Sequence, residues 1–164
     1  MQNTRVHEIE LYPPEIFKTI VDHEVNRSHR YGDSLTLANL VVETDPANEK
    51  AQHTAELFAI NVLNLHLRQI DIACQKGNEF LVLMPATSAQ GARTACERLR
   101  RLMTTEQQTV DNVFFKILVF IGMATLPIDR SVSSNGLIEN TSKALQHART
   151  NRLARVISFS EIKE

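Results

Sequence analysis

The amino-acid sequence predicts an α+β fold, an α/β sandwich in which a mixed central β-sheet is flanked by helices. Segments with apolar residues at helical spacing alternate with short apolar segments that are typical of buried strands. Their order is helix–strand, helix–strand–strand, helix–strand and helix–strand, which indicates a mixed sheet covered by helices. The chain has 164 residues, of which 43% are hydrophobic, so it is long enough to bury a single core.

The first half of the chain contains two of the predicted helices. Pro14 suits the first turn of a helix, and apolar residues recur at helical spacing from there until Gly32 ends the segment. Residues 35–42 are largely apolar and are predicted to form a buried strand. Asp45 offers an N-cap and is followed by proline, so a second helix is predicted to begin there and to end near Gln69.

The middle of the chain predicts a β-hairpin followed by a third helix. Residues 72–75 and 79–84 are short strand candidates, and Lys76–Asn78 between them forms a tight turn. Thr87 and Gln90 have the spacing of a capping box, so the third helix is predicted to open there.

The last third of the chain supplies the strongest strand candidate, residues 113–124, which is expected near the centre of the sheet. Ser134 is predicted to start a fourth helix with one apolar face. Residues 155–159 are predicted to form the last strand.

Composition excludes several classes of function. The 18 Lys and Arg residues nearly balance the 19 Asp and Glu residues, so the net charge of -1 gives no large field for holding nucleic acid or an anionic membrane. The two cysteines lack the spacing of a metal site and are too few for a disulfide framework. With no secretory signal and no apolar segment that could span a bilayer, we expect a cytoplasmic domain.

The predicted hairpin also carries a family resemblance. Residues 75–85 closely resemble the signature hairpin of GGDEF domains, the diguanylate cyclases that make cyclic di-GMP, with KGNEF in place of GGDEF. The five residues of this signature are Lys76, Gly77, Asn78, Glu79 and Phe80. Four further segments resemble the family in the same order along the chain: Arg30–Gly32 with the strand that follows, Ala92–Arg100, Ile121–Pro127, and Lys143–Leu145 with Ala148 and Arg149.

The resemblance implies a GGDEF or nucleotidyl-cyclase-like palm fold over nearly the whole chain. It divides the sequence into an N-terminal extension, residues 1–12, and a single GGDEF-like domain, residues 13–164. The activity that it implies is phosphoryl transfer between two GTP molecules, which needs divalent metal ions held by anionic oxygen ligands.

The positions that hold those ligands in the family have changed here. One carboxylate of the family ends the first strand and another takes the third position of the signature, where this chain has Val41 and Asn78. Valine has no ligand atom, and a neutral amide is a poor replacement for a carboxylate. Glu43 and Glu79 lie nearby, but Glu43 is offset from the expected metal position. We therefore expect no catalytic residue, no bound metal and no cofactor.

The substrate pocket that the resemblance implies also differs. The segment between Val41 and Lys76 is shorter than in a typical member, and the residues that read guanine in the family have no convincing equivalent. Lys76 replaces the first glycine of the signature, where a side chain obstructs the approach of phosphates. Arg149 is either the phosphate-contacting base of the family or a solvated surface residue. The groove between the hairpin and Val41 is expected to be shallow or filled.

A second family feature lies upstream of the hairpin. Arg68 and Asp71 match the R-x-x-D of the inhibitory site at which many members bind cyclic di-GMP, and Arg98 corresponds to a secondary arginine of that site. Guanidinium pairs with guanine or phosphate, and a carboxylate accepts guanine N–H groups. Asp71 lies one residue nearer the hairpin than in the family, and the alternative is an ordinary Arg–Asp pair that closes a helix.

Three hypotheses follow from the sequence. The leading one is a degenerate GGDEF domain that no longer makes cyclic di-GMP and acts in signalling as a regulatory or protein-interaction module, with a protein partner of unknown identity. The second is a cyclic di-GMP receptor that uses Arg68, Asp71 and Arg98. The third is a divergent nucleotidyl cyclase that uses Glu43 or Glu79 with altered metal geometry.

Overall fold

A computed structural model describes residues 11–162. Residues 1–10, which make up most of the predicted N-terminal extension, and residues 163–164 lie outside the described part of the chain. The elements in chain order are β1 (Leu11–Tyr12), α1 (Pro14–Tyr31), β2 (Leu35–Asp45), α2 (Glu49–His66), β3 (Ile72–Lys76), β4 (Glu79–Pro85), α3 (Ala89–Thr104), β5 (Gln108–Val110), β6 (Val113–Thr125), α4 (Ser134–Thr150) and β7 (Ile157–Ser158), followed by a 3₁₀ turn (Phe159–Glu161).

The strands form one mixed sheet, as the sequence predicts. Its order is β1-β3-β4-β2-β6-β5, and β7 also pairs with β6. The two-residue strands β1 and β7 run parallel to their partners, whereas every other pairing is antiparallel. Strand β2 lies between β4 and β6 along most of its length, and this explains why its first eight residues are buried.

Two layers of helices cover the sheet. Helices α2 and α3 pack on one face, where Leu40 of β2 and Ile121 of β6 are fully buried. Helices α1 and α4 cover the opposite face and bury Leu37 and Val41 of β2. Alternate residues of β2 therefore serve different cores, as expected for a strand with a period of two. Within residues 11–162, no helix combines the length and the apolar character needed to cross a membrane.

Helix α4 approaches the sheet very closely at Gly122 of β6. A Cβ atom at this glycine would lie 2.0 Å from the backbone nitrogen of Leu145. The absence of a side chain lets the helix backbone rest directly on the strand. This contact fixes the path of α4 and brings Arg149, in its last turn, to the same end of the sheet as the β3–β4 hairpin.

The sequence-predicted N-caps are three residues early for α2 and one residue early for α3. Helix α2 is capped by Asn48, whose side chain accepts the Ala51 N–H, and not by Asp45. Helix α3 is capped by Ser88, whose hydroxyl accepts the Gly91 N–H. Each helix start has two residues of a capping type close together in sequence, Asp45 and Asn48 for α2 and Thr87 and Ser88 for α3. Local propensity therefore does not decide which of the two caps the helix.

The strand predictions are correct for β2, β3, β4 and β6 but incomplete elsewhere. The short strands β1 and β5 were not predicted, and the last strand is Ile157–Ser158 rather than residues 155–159. Val156 does not join the ladder, because its N–H donates to the Glu97 carboxylate at 2.8 Å and its carbonyl accepts from Arg93 at 2.9 Å. Strand β6 pairs with β2, β5 and β7, but it lies next to the edge strand β5 and not at the centre of the sheet.

Candidate functional site

The β3–β4 hairpin carries the signature residues and ends beside the central strand β2. Its two strands pair from Ile72 with Leu83 to Lys76 with Glu79, which leaves Gly77 and Asn78 as the turn. Gly77 has a φ of +62°, a conformation that favours glycine. The Asn78 carbonyl accepts the Val42 N–H at 3.0 Å, so the tip of the hairpin is tied to β2.

The two positions that would need metal-binding carboxylates lie next to each other at this tip. Val41 is fully buried in a cluster that includes Phe120 of β6 and Ala144 of α4. The Val41 side chain is thus part of the apolar core between β2, β6 and α4. The Asn78 side-chain amide lies 3.5 Å from the Val42 carbonyl oxygen, to which it donates.

The Val42 carbonyl has a second donor on its other side. The Gln52 side-chain amide of α2 donates to it at 2.8 Å. A carbonyl oxygen has two acceptor positions, and both are directed at N–H groups here. This oxygen is therefore surrounded by positive N–H dipoles, an environment that opposes the approach of a cation.

Glu43, the acidic residue nearest to the tip on β2, is engaged by two arginines. Its Oε1 accepts from Arg149 Nε at 2.9 Å and lies 2.8 Å from Arg149 Nη2, and its Oε2 accepts from Arg152 at 2.9 Å. The Arg152 guanidinium also lies 4.6 Å from the centre of the Phe120 ring. We call Glu43, Arg149 and Arg152 the Glu43 cluster.

An open groove of about 780 Å³ begins at the Glu43 cluster and runs toward the start of α2. It is lined by Glu43, Thr44, Asp45, Ala47, Asn48, Glu49, Gln52, Leu118 and Arg152. Glu79, which faces Val41 across the β2–β4 ladder, is not part of this lining. Among residues 11–162, no group of three or more His, Cys, Asp and Glu side chains is arranged to hold a metal ion.

A second cavity lies at the opposite end of the hairpin strands, between the end of α2 and helix α3. Its volume is about 330 Å³, and Arg68, Asp71 and Arg98 all line it. Polar and apolar side chains surround these three charged groups. The polar side chains include His66, Thr87 and Thr94, and the apolar ones include Leu67, Met84 and Leu99. We call this the arginine cavity.

Arg68 and Asp71 form a tight pair on the turn that follows α2. The guanidinium donates to the Asp71 carboxylate with distances of 3.1 Å and 3.4 Å, and the same carboxylate accepts the Arg68 backbone N–H at 2.9 Å. The Asp71 side chain is only 5% exposed, whereas Arg68 is 52% exposed. Arg68 also donates to the Thr87 hydroxyl. The pair thus closes the turn and leaves about half of the Arg68 side chain exposed.

Arg98 enters the arginine cavity from α3. Its Nη2 lies 3.4 Å from Nδ1 of His66, which is in the last turn of α2. Arg98 and His66 therefore connect the two helices that form the walls of the cavity. The arrangement presents two guanidinium groups and one carboxylate beside apolar side chains, which suits a ligand with both anionic groups and flat rings.

The structure brings together the residues of each predicted site but keeps the two sites apart. Lys76, Gly77, Asn78 and Glu79 lie at the tip of the hairpin, while Phe80 is fully buried in the core. Arg68, Asp71 and Arg98 share the arginine cavity at the other end.

Sequence reasoning missed Gln52 and Arg152 at the hairpin end and His66 in the arginine cavity. Gln52 contacts β2 across 10 residues and Arg152 across 109, and no local motif marks either residue. The spacing of Arg152, three residues after Arg149, was the only available signal.

A family model and a relative with similar sequence both point to the diguanylate cyclases. A family model described as "Diguanylate cyclase, GGDEF domain" matches residues 57–155. The diguanylate cyclase DgcP of Pseudomonas aeruginosa is 40% identical over 86 residues, which cover 49% of this chain and 13% of that protein. The chain thus spans only a small part of this relative.

Several solved structures share the fold. The GGDEF domain of DgcB from Caulobacter crescentus was solved in complex with c-di-GMP, and it has a TM-score of 0.84 with 17% identity. The match covers 98% of this chain and 99% of the DgcB chain. The active GGEEF domain of a diguanylate cyclase from Vibrio cholerae has a TM-score of 0.79 with 13% identity, over 92% and 98% of the two chains. The FimX GGDEF domain from Pseudomonas aeruginosa has a TM-score of 0.74 with 15% identity, also over 92% and 98%.

Proposed function

Because the chain belongs to the GGDEF domain family of diguanylate cyclases, we propose that it is a degenerate member that makes no cyclic di-GMP and acts as a regulatory or protein-interaction domain. The observation that carries this proposal is the composition of the hairpin end. Val41 and Asn78 occupy the two positions where phosphoryl transfer in this family requires metal-binding carboxylates.

The chemistry of these side chains does not fit a magnesium site. Mg²⁺ prefers six oxygen ligands in a near-octahedral arrangement, usually with one or two carboxylates from the protein. Val41 supplies no oxygen from its side chain, and its burial keeps water and metal away from this position. The amide of Asn78 directs its nitrogen at the Val42 carbonyl, and Gln52 does the same from the other side.

The neighbouring acidic residues do not replace the missing ligands. Both oxygens of Glu43 accept from arginines, so a cation would have to displace two guanidinium groups to reach this carboxylate. Glu79 remains as an acidic residue, and it is paired with Val41 in the β2–β4 ladder. One carboxylate without a second is a weak basis for holding the metal ions that neutralise a triphosphate. These contacts weigh against the alternative of a divergent cyclase.

Metal binding by the hairpin end tests this proposal. The protein is titrated with Mn²⁺, and the concentration of free ion is measured by electron paramagnetic resonance. We expect no saturable Mn²⁺-binding site, in the presence or absence of GTP. A saturable site that disappears in the Glu79→Gln variant would contradict the proposal. The Glu49→Gln variant removes one carboxylate from the neighbouring groove and serves as the control for a change in net charge.

A second function, binding of cyclic di-GMP without synthesis, is favoured by the arginine cavity. The three residues expected from the sequence line one cavity, and the half-exposed side chain of Arg68 is held in place by Asp71. A guanidinium held in this way can donate to a guanine edge or a phosphate through the N–H groups that Asp71 and Thr87 do not use. In this proposal the domain senses the nucleotide and transmits its presence to a protein partner.

Calorimetry with cyclic di-GMP tests the receptor proposal. The wild-type chain should bind, and Arg68→Ala should weaken binding by at least about tenfold, since a charge-assisted hydrogen bond contributes about 1.5–3 kcal/mol. Arg101→Ala, an exposed arginine on α3 outside the lining of the cavity, should leave the affinity unchanged. Absence of heat at high ligand concentration would remove the receptor function and leave a protein-interaction domain, whose partner a pulldown from the native cell would seek.

A further inference from the structure

One titratable residue of the arginine cavity has no role in the proposed functions. His66 lies in the last turn of α2 and lines the cavity together with Arg68, Asp71 and Arg98. Histidine ordinarily changes its charge at about pH 6.5, whereas arginine and aspartate ordinarily keep theirs at neutral pH. His66 is therefore the residue of this lining whose charge can follow physiological pH.

The contact between His66 and Arg98 defines the protonation state of the imidazole. Nη2 of Arg98 lies 3.4 Å from Nδ1 of His66. A guanidinium group has donors only, so Nδ1 must accept, and the imidazole is neutral with its proton on Nε2. A protonated imidazole would direct an N–H at the guanidinium N–H groups, and the two positive charges would repel each other. Arg98 is thus held against α2 only while His66 is neutral.

The charged groups around His66 come from two parts of the fold. Arg98 faces it from α3, and Arg68 and Asp71 lie on the turn that follows α2. Asp71 is 5% exposed and is paired with Arg68, so its carboxylate is engaged. Two guanidinium groups and one carboxylate leave the cavity with one net positive charge, and protonation of His66 raises this to two. The added charge strengthens the attraction for an anionic ligand.

We propose that His66 couples ligand binding in the arginine cavity to the uptake of a proton. In the free domain, neutral His66 holds Arg98. When a ligand with phosphate groups enters, His66 gains a proton, and its imidazolium and the released Arg98 guanidinium both donate to the ligand. This inference rests on the proposed binding of cyclic di-GMP and names the regulation of that site.

The direction of the pH effect follows from linkage. The phosphate groups of cyclic di-GMP carry negative charges that do not change around neutral pH. The bound ligand favours the protonated form of His66, and by reciprocity the protonated form binds the ligand more tightly. Binding should therefore strengthen as the pH falls through the range in which histidine takes up a proton. Acidification would shift the domain toward its ligand-bound state at a constant concentration of ligand.

Calorimetry with cyclic di-GMP in a mildly acidic buffer (about pH 6) and a mildly alkaline buffer (about pH 8) tests the coupling. The wild-type chain should bind at least about threefold more tightly in the acidic buffer. At neutral pH, the heat should differ between buffers of different ionisation enthalpy, because a proton is taken from the buffer. His66→Gln keeps an acceptor for Arg98 but cannot become charged, so its affinity should be equal in both buffers. The control His53→Gln, which replaces an exposed histidine of α2 outside the lining, should keep the wild-type difference.

The failure of the coupling and the failure of the receptor function give different results. No binding in either buffer would overturn the receptor function, and the coupling with it. Binding of equal strength in both buffers would overturn the coupling alone, as would a pH dependence that persists in His66→Gln. Nitrogen NMR of the ligand-free wild-type chain is an independent check. In the alkaline buffer Nδ1 of His66 should carry no proton, and a proton on Nδ1 would overturn the inference.

Discussion

The Gly122→Ala variant is expected to lose at least about 3 kcal/mol of unfolding free energy, at the upper end of the range for overpacked cores. The new Cβ would meet three backbone atoms of α4 at 2.0 Å to 2.6 Å, and backbone cannot move aside as a flexible side chain can. Helix α4 would have to lift from β6. Urea unfolding followed by circular dichroism measures the loss.

A second glycine provides the control for this prediction. At Gly91 in the first part of α3, the nearest atoms to a Cβ are side-chain atoms of Ser88 and Thr87 at 3.4 Å and 3.5 Å, which is ordinary contact. Gly91→Ala should therefore change stability by no more than about 1 kcal/mol, and it should be stabilising if helix propensity dominates. Equal stability of Gly122→Ala and the wild-type chain would show that α4 is not packed as described.

Restoring the carboxylate of the family at position 41 is expected to destabilise the domain by about 3 kcal/mol or more. Val41 is completely buried, and its cluster contains Phe120, Leu145 and Ile157. A carboxylate placed there loses its hydration and gains no described partner within the cluster. Val41→Asp thus tests whether this position has become part of the core.

The pH dependence of the same variant separates charge from shape. A carboxyl group buried among apolar side chains has a raised pKa in the folded state, while in the unfolded state its pKa is about 4. The folded state then binds the proton more tightly, so the stability of Val41→Asp should fall as the pH rises above about 4. Val41→Asn has the same shape without the charge and should lack this added pH dependence. Wild-type stability of Val41→Asp at neutral pH would contradict the assignment of Val41 to the core.

The combined variant Val41→Asp with Asn78→Asp should not synthesise cyclic di-GMP. Besides the stability cost, Gln52 would still donate to the Val42 carbonyl and the arginines would still hold Glu43. We also expect that the segment after β2 supplies no residues that read guanine.

Local patterns were sufficient to predict the elements that depend on neighbouring residues. The turn at Gly77 and Asn78 between two apolar segments predicts the hairpin, and Arg68 and Asp71 are close enough in sequence to predict their pairing. Helical periodicity predicts four helices, which the structure contains as α1 to α4. In these cases the partners lie within a few residues, so the sequence pattern contains the contact.

Contacts between distant segments could not be predicted in the same way. Strand β1 is two residues long, and it forms only because β3 offers an unpaired edge. The bond from Gln52 to Val42 depends on where α2 begins in space, and the ion pair from Arg152 to Glu43 depends on where α4 ends. That position follows from packing, such as the close approach at Gly122, which no sequence motif records.

Synthesis of cyclic di-GMP from GTP tests the central claim most directly. The purified chain at high concentration is incubated with GTP and either Mg²⁺ or Mn²⁺, with an active diguanylate cyclase as the positive control, and the products are separated by chromatography. The account predicts that GTP is recovered and that no cyclic di-GMP forms with either metal. Robust formation of cyclic di-GMP that is lost in the Glu79→Ala variant would contradict it.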